Sequence, residues 1–113
     1  MVDMKNFSDL IRLAKGREPK RVVLIGSEDR EGVKALKLAV EEGIALPIFV
    51  GDEKRTSQIL SEEGLEIEVI PASSSDEACE KGVKLVRQGR ADIVMKGLVK
   101  TSTLLKAVLN KEW

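Results

Sequence analysis

The chain has 113 residues, of which 42% are hydrophobic and 34% are charged, a composition typical of one folded domain with a charged surface. Basic and acidic residues number 19 each, so the chain lacks the basic excess of proteins that bind nucleic acids or membrane surfaces. It has no histidine and one cysteine, which excludes an intramolecular disulfide and disfavours a zinc site.

The first predicted element is a helix, because the amino-terminal segment repeats apolar residues at helical spacing: Phe7, Leu10, Ile11 and Ala14. Arg21–Gly26 is a continuous, mostly β-branched run, which is typical of a strand buried on both faces. A second helix follows it, with Val33, Leu36 and Val40 on one face.

The same strand and helix pattern then occurs three more times. The further strands are predicted at Ala45–Val50, Glu66–Ile70 and Ala91–Met95. Three helices follow these strands. The first is predicted at Asp52–Glu63 and the last at Thr101–Lys111. The middle helix is predicted to begin at a capping box formed by Ser74 and Glu77. Gly32 and Gly82 fall inside helical patterns, which predicts close contacts between helix and sheet at these positions.

Strands joined by helices of this length run parallel with right-handed crossovers. The sequence therefore predicts one α/β domain over residues 1–113. In it, a parallel sheet of four strands lies in a three-layer α/β/α, Rossmann-like arrangement, preceded by the amino-terminal helix. We expect the strand order 3-2-1-4, with 2-1-3-4 as the alternative.

Ligands of open parallel sheets bind beyond the carboxyl ends of the strands. The segment after the fourth strand joins two lysines to a hydroxyl-rich helix start, whose unpaired N–H groups suit an anion. The candidate phosphate-binding residues are Lys96, Gly97, Lys100, Thr101, Ser102 and Thr103. The alternative is that Thr101 caps the helix and the lysines are only solvated.

The segment after the first strand supplies possible secondary contacts at Gly26, Ser27 and Glu28. The simpler interpretation is a helix cap with acidic residues placed against the helix dipole. Neither segment has the glycine spacing of a P-loop or of a dinucleotide-binding turn. Cys79 lies on an apolar stripe and is predicted to be a core residue.

Several segments resemble the amino-terminal part of phosphate butyryltransferases, which belong with phosphate acetyltransferases to one family of phosphate acyltransferases. They are Asn6–Ile11, Arg21–Asp29, Glu41–Ile44, Pro47–Asp52 and Ala91–Val99. The resemblance implies transfer of an acyl group between coenzyme A and inorganic phosphate without a bound cofactor, the coenzyme A thioester being a substrate. It also implies a cleft between two α/β domains and a dimer.

Two departures from the family matter. Its members usually have a histidine where this chain has Lys100, and they continue into a second domain. We therefore expect a fragment that folds but is inactive alone, and no catalytic residue is assigned. The alternative is a non-catalytic, flavodoxin-like module that binds a phosphate or a nucleotide; a scaffold without a ligand is a third possibility.

The expected partners are phosphate and acyl-CoA, with no nucleic acid, membrane or metal. A homo-oligomer is also expected, because an unpaired strand edge and exposed apolar patches favour association. The polar opening Met1–Asn6, the absence of a long apolar run and the single cysteine point to the cytoplasm.

Overall fold

The computed structural model describes residues 18–110, so the predicted amino-terminal helix and Trp113 lie outside the described residues. The strands are β1 (Lys20–Ile25), β2 (Ala45–Gly51), β3 (Val69–Pro71) and β4 (Ile93–Lys96). The helices are α1 (Arg30–Glu41), α2 (Glu53–Glu62), α3 (Ser75–Arg87) and α4 (Thr101–Leu109).

All strand pairs are parallel, and the sheet has the order β3-β2-β1-β4. This confirms the first predicted order and excludes 2-1-3-4. The central strand β1 pairs with β2 from Lys20 to Ile25 and with β4 from Val22 to Ile25. Its central position explains its composition, because a strand flanked on both sides and covered on both faces needs apolar side chains throughout.

Two apolar layers cover the sheet. Val22 and Leu24 point to one face and pack with buried residues of α1 and α2. Val23 and Ile25 point to the other face and pack with α3 and α4. The alternation of successive side chains along a strand places neighbouring residues in opposite layers. The predicted three-layer α/β/α arrangement is thereby confirmed.

The third strand is shorter than predicted. It pairs with β2 only over Val69–Pro71, whereas the sequence pattern begins at Glu66. Glu66 and Glu68 are exposed, and Ile67 packs against the core from outside the strand. The alternating pattern thus predicts which side chains face the core. The length of the strand depends in addition on how many residues of β2 are available for pairing.

Two helices approach the sheet closely at glycines, as predicted. A Cβ atom on Gly82 of α3 would overlap the side chain of Ile25, and one on Gly32 of α1 would lie 3.0 Å from Leu24 Cδ1. Both strand residues are fully buried. These contacts hold α1 and α3 directly against the central strand β1. No helix within residues 18–110 has the length and apolar character needed to cross a bilayer.

Candidate functional site

The carboxyl edge of the sheet is built by close contact between the end of β1 and the loop after β4. The Gly97 N–H donates to Ile25 O and the Leu98 N–H donates to Gly26 O, both at 2.8 Å. A Cβ on Gly26 would lie 2.8 Å from the Leu98 backbone, and a Cβ on Gly97 would overlap the Gly26 carbonyl oxygen. Gly26 also has a positive φ of 79°. Glycine is required here because the two backbones touch.

Gly97 therefore shapes the backbone at the predicted site, but its N–H group is not free to donate a hydrogen bond to a ligand. Its amide is used by Ile25, and the Val99 N–H donates to Gly97 O at 2.9 Å. The predicted contact of phosphate with Gly97 cannot use this N–H group. The amides that have no acceptor within the described part of the chain begin at Lys100 and continue through Thr103.

Ser27 is likewise structural. Its hydroxyl shares a 3.0 Å hydrogen bond with the Thr56 hydroxyl of α2, and both residues are 0% exposed. A buried hydroxyl needs such a partner, since an unpaired one costs about 1–3 kcal/mol. The predicted secondary contact through the Ser27 side chain is not supported, because this hydroxyl points into the protein.

The acidic residues after β1 cap and connect helices, as the simpler interpretation of this segment predicted. Asp29 caps α1 by accepting from the Glu31 N–H at 3.1 Å, and Asp52 caps α2 by accepting from the Arg55 N–H at 2.9 Å. The Asp52 N–H in turn donates to Glu28 Oε1 at 3.1 Å. The cap is thus formed by Asp29, while Glu28 ties the end of β1 to the start of α2.

The start of α3 is capped by Ser74, which accepts from the Glu77 N–H at 3.1 Å. The reciprocal half of the predicted capping box is absent. The Glu77 carboxylate instead lies 3.0 Å from the Lys81 ammonium and accepts from the Ser73 hydroxyl at 2.8 Å. The bond from Lys81 and then that from Ser73 lower the pKa of Glu77.

The start of α4 differs from the starts of α1, α2 and α3, each of which is capped by a side chain. Lys100 occupies the cap position in an extended conformation, and its side chain caps no N–H group. Thr101 is the first helical residue, so the interpretation that Thr101 caps this helix is wrong. Thr101 and Ser102 are exposed and Thr103 is half-buried. None of these hydroxyls has a hydrogen-bond partner among residues 18–110.

Two adjoining cavities lie at this edge. The first, which we call the lysine cavity, has a volume of about 350 Å³ and is lined by Ser75, Lys96, Gly97, Leu98, Val99 and Lys100. The second, which we call the acidic cavity, has a volume of about 170 Å³ and is lined by Gly26, Glu28, Gly51, Asp52, Ala72, Ser73, Ser74, Ser75, Ala78 and Val99. They share Ser75 and Val99, and neither lining includes Thr101, Ser102 or Thr103.

The charges divide this edge into two regions. The lining of the lysine cavity includes two lysines and no acidic residue, and neither lysine forms an ion pair within the described part of the chain. The acidic cavity has the carboxylates of Glu28 and Asp52. Two unit charges 4 Å apart near a protein surface interact by about 4 kcal/mol. An anion is therefore attracted to the lysine cavity and repelled from the acidic cavity.

Sequence reasoning missed the segment after β3, Ala72–Ser75, which lines both cavities in part. The signal was present as a run of serines directly after the third predicted strand. Another cavity, of about 510 Å³, lies away from this edge, between the second half of α2 and the Gly64–Ile67 loop. Cys79 is buried in the layer under α3 as predicted, and burial raises the pKa of its thiol.

Comparisons with known proteins agree with the resemblance seen in the sequence. Phosphate butyryltransferase of Clostridium acetobutylicum is 38% identical over 112 residues, which is 96% of this chain and 37% of the relative. Phosphate acetyltransferase of Rickettsia felis is 27% identical over 111 residues, which is 96% of this chain and 32% of the relative. No protein-family model matches the chain.

A branched-chain phosphotransacylase from Enterococcus faecalis V583 has a similar structure, with a TM-score of 0.66 and 30% sequence identity. The similarity covers 82% of this chain and 33% of that protein. The chain thus resembles phosphate acyltransferases in sequence and in fold, and it spans about a third of the length of the curated relatives it matches.

Proposed function

We propose that this chain is the phosphate-binding part of a phosphate acyltransferase. In the full reaction, a phosphate oxygen attacks the carbonyl carbon of a coenzyme A thioester. The carbon–sulfur bond breaks, the thiolate leaves and takes up a proton, and an acyl phosphate is formed. Butyryl is the proposed acyl group, after the relative with 38% identity. We further propose a cytoplasmic protein, in keeping with its single, buried cysteine.

The observation that carries this proposal is the lysine cavity next to the uncapped start of α4. Lys96 and Lys100 supply positive charge, while the free amides of α4 add donors and a partial positive charge. Phosphate carries more than one negative charge at neutral pH, so it gains from both groups. Positioning phosphate and stabilising developing negative charge are the main tasks in acyl transfer.

We further propose that the 113-residue chain does not catalyse the full reaction by itself. We infer that the groups that would hold coenzyme A lie outside the segment that this chain matches, since that segment is 37% of the relative. We therefore expect the purified 113-residue protein to release no coenzyme A from butyryl-CoA in the presence of phosphate, measured with a thiol reagent. Phosphate-dependent release would refute the expectation of an inactive fragment and would leave phosphate binding intact.

Phosphate binding is tested by NMR titration of the labelled chain with inorganic phosphate. We expect millimolar binding with shifts confined to residues 96–103. The variant Lys96→Ala/Lys100→Ala should weaken binding at least tenfold, because both ammonium groups are lost.

A matched control removes the same charge elsewhere. Lys34 on α1 and Lys106 at the end of α4 are exposed and line neither cavity at the sheet edge. The variant Lys34→Ala/Lys106→Ala should bind phosphate almost as well as the parent chain. Equal losses in the two variants would reduce the effect to net charge and refute the site. Binding of a nucleotide far more tightly than of phosphate would favour the flavodoxin-like module instead.

A further inference from the structure

Leu98 is an apolar side chain in an unusual place. It is 56% exposed and lines the lysine cavity together with two lysines. Single exposed leucines are common on protein surfaces. Of the large exposed apolar residues in the described part of the chain, however, Leu98 alone lines either cavity at the carboxyl edge.

The Leu98 backbone is held in place from both sides. Its N–H donates to Gly26 O at 2.8 Å, and the preceding N–H of Gly97 donates to Ile25 O. The following residue, Val99, is 8% exposed and packs in the layer under α3 and α4. The exposed side chain therefore projects from a fixed loop, which lowers the entropic cost of contacting a ligand.

The cavity around Leu98 is also larger than a phosphate ion needs. Its volume of about 350 Å³ lies within the range of pockets that hold small organic molecules. Its lining combines cationic groups at Lys96 and Lys100 with apolar surface at Leu98 and Val99. Such a lining suits a ligand that has an anionic head and a short apolar chain.

We infer that Leu98 contacts the acyl chain of the substrate, while the phosphoryl group lies at Lys96 and Lys100. This inference rests on the proposed function and adds a specificity-determining residue to it. A methylene fully transferred from water to an apolar wall strengthens binding about fourfold. Leu98 forms one open wall, so the gain for each methylene is smaller. The longer acyl chain is favoured because more of it lies against this wall.

The test uses the 113-residue chain with methylphosphonate and butylphosphonate, stable compounds with the same anionic head. Dissociation constants come from NMR titration. We expect butylphosphonate to bind about fivefold to tenfold more tightly than methylphosphonate. Leu98→Ala should reduce this ratio to less than twofold and leave methylphosphonate affinity within twofold of the parent. Leu98→Gln, which keeps the side-chain length, should have the same effect.

Leu105→Ala is the matched control, since Leu105 is 45% exposed on α4 and lines neither cavity; it should keep the full ratio. Equal binding of the two phosphonates to the parent chain would overturn the role of Leu98 but not phosphate binding. Equal weakening of both ligands by Leu98→Ala would show a purely structural role and would also overturn it. Failure of phosphate and of both phosphonates to bind would refute the proposed function together with this inference.

Discussion

The contact between Gly97 and the end of β1 can be tested by adding one methyl group. In Gly97→Ala the new Cβ would overlap the Gly26 carbonyl oxygen and lie 2.9 Å from the Ile25 carbonyl oxygen. These are backbone atoms of the last residue of β1 and of the residue that follows it, and they cannot easily move aside because β1 pairs with a strand on both sides. The loop after β4 must therefore shift.

The cost of this shift can be added up from the contacts that the loop makes. Two hydrogen bonds, from Gly97 to Ile25 and from Leu98 to Gly26, contribute about 1 kcal/mol each. Partial exposure of the buried Val99 adds about 1–2 kcal/mol. Alanine restricts the unfolded chain and returns about 0.4–1 kcal/mol. We expect Gly97→Ala to lower the free energy of unfolding by about 2–3.5 kcal/mol.

The assay is urea denaturation followed by circular dichroism, with Gly43→Ala as the control. Gly43 has a φ of 74° and no neighbouring atom within 4 Å of an added Cβ, so its substitution tests backbone conformation alone. Gly43→Ala should lower the free energy of unfolding by about 1 kcal/mol, once the stabilisation from restricting the unfolded chain is subtracted. A loss in Gly97→Ala no larger than in Gly43→Ala would refute the reasoning.

Two further predictions concern charge and association. Hydrogen bonds from the Arg21 side chain, which donates to both carboxylate oxygens, and then from the Arg21 backbone N–H lower the pKa of Asp92 from 3.8 to about 2. The carboxylate therefore stabilises the fold above about pH 4, and this contribution is lost as the pH falls toward 2. Asp92→Asn should flatten the dependence of the urea midpoint on pH in this range. An unchanged slope would contradict the prediction. We also expect the chain to self-associate in light scattering, because within residues 18–110 β4 has one unpaired edge, and Leu105 and Leu109 are exposed on α4, which follows it in the chain. Leu105→Glu/Leu109→Glu should restore a monomer, whereas a monomeric parent chain at high concentration would refute the expectation.

Much of the fold follows from local patterns. The β-branched run at Arg21–Gly26 and the helical spacing of Val33 and Leu36 identify a strand and a helix without tertiary information, because side-chain periodicity fixes which residues can share a face. The alternation of strands and helices then leaves parallel, right-handed connections as the only common solution. This is why the fold class was predicted, whereas two strand orders remained possible until the structure showed β3-β2-β1-β4.

The candidate site was predicted only in part. Lys96 and Lys100 could be assigned to the carboxyl edge because each follows a predicted strand closely. The burial of Ser27 could not be predicted, since its partner Thr56 is 29 residues away in sequence and on another helix. Gly97 was predicted as a phosphate-binding residue, and the sequence could not show that its amide is already used, because the acceptor of that amide lies on β1.

The sequence by itself determined the elements, their order and the concentration of positive charge after β4. Tertiary structure alone decided which of those groups face outward. Parallel strands bring segments distant in the chain to one edge, where Ser75 of α3 joins Lys96 and Leu98 around one cavity while Glu28 and Asp52 gather in the next. Local periodicity records the burial of each residue within its own element, but hydrogen-bond partners and cavity walls depend on pairs of elements that only the folded sheet brings together.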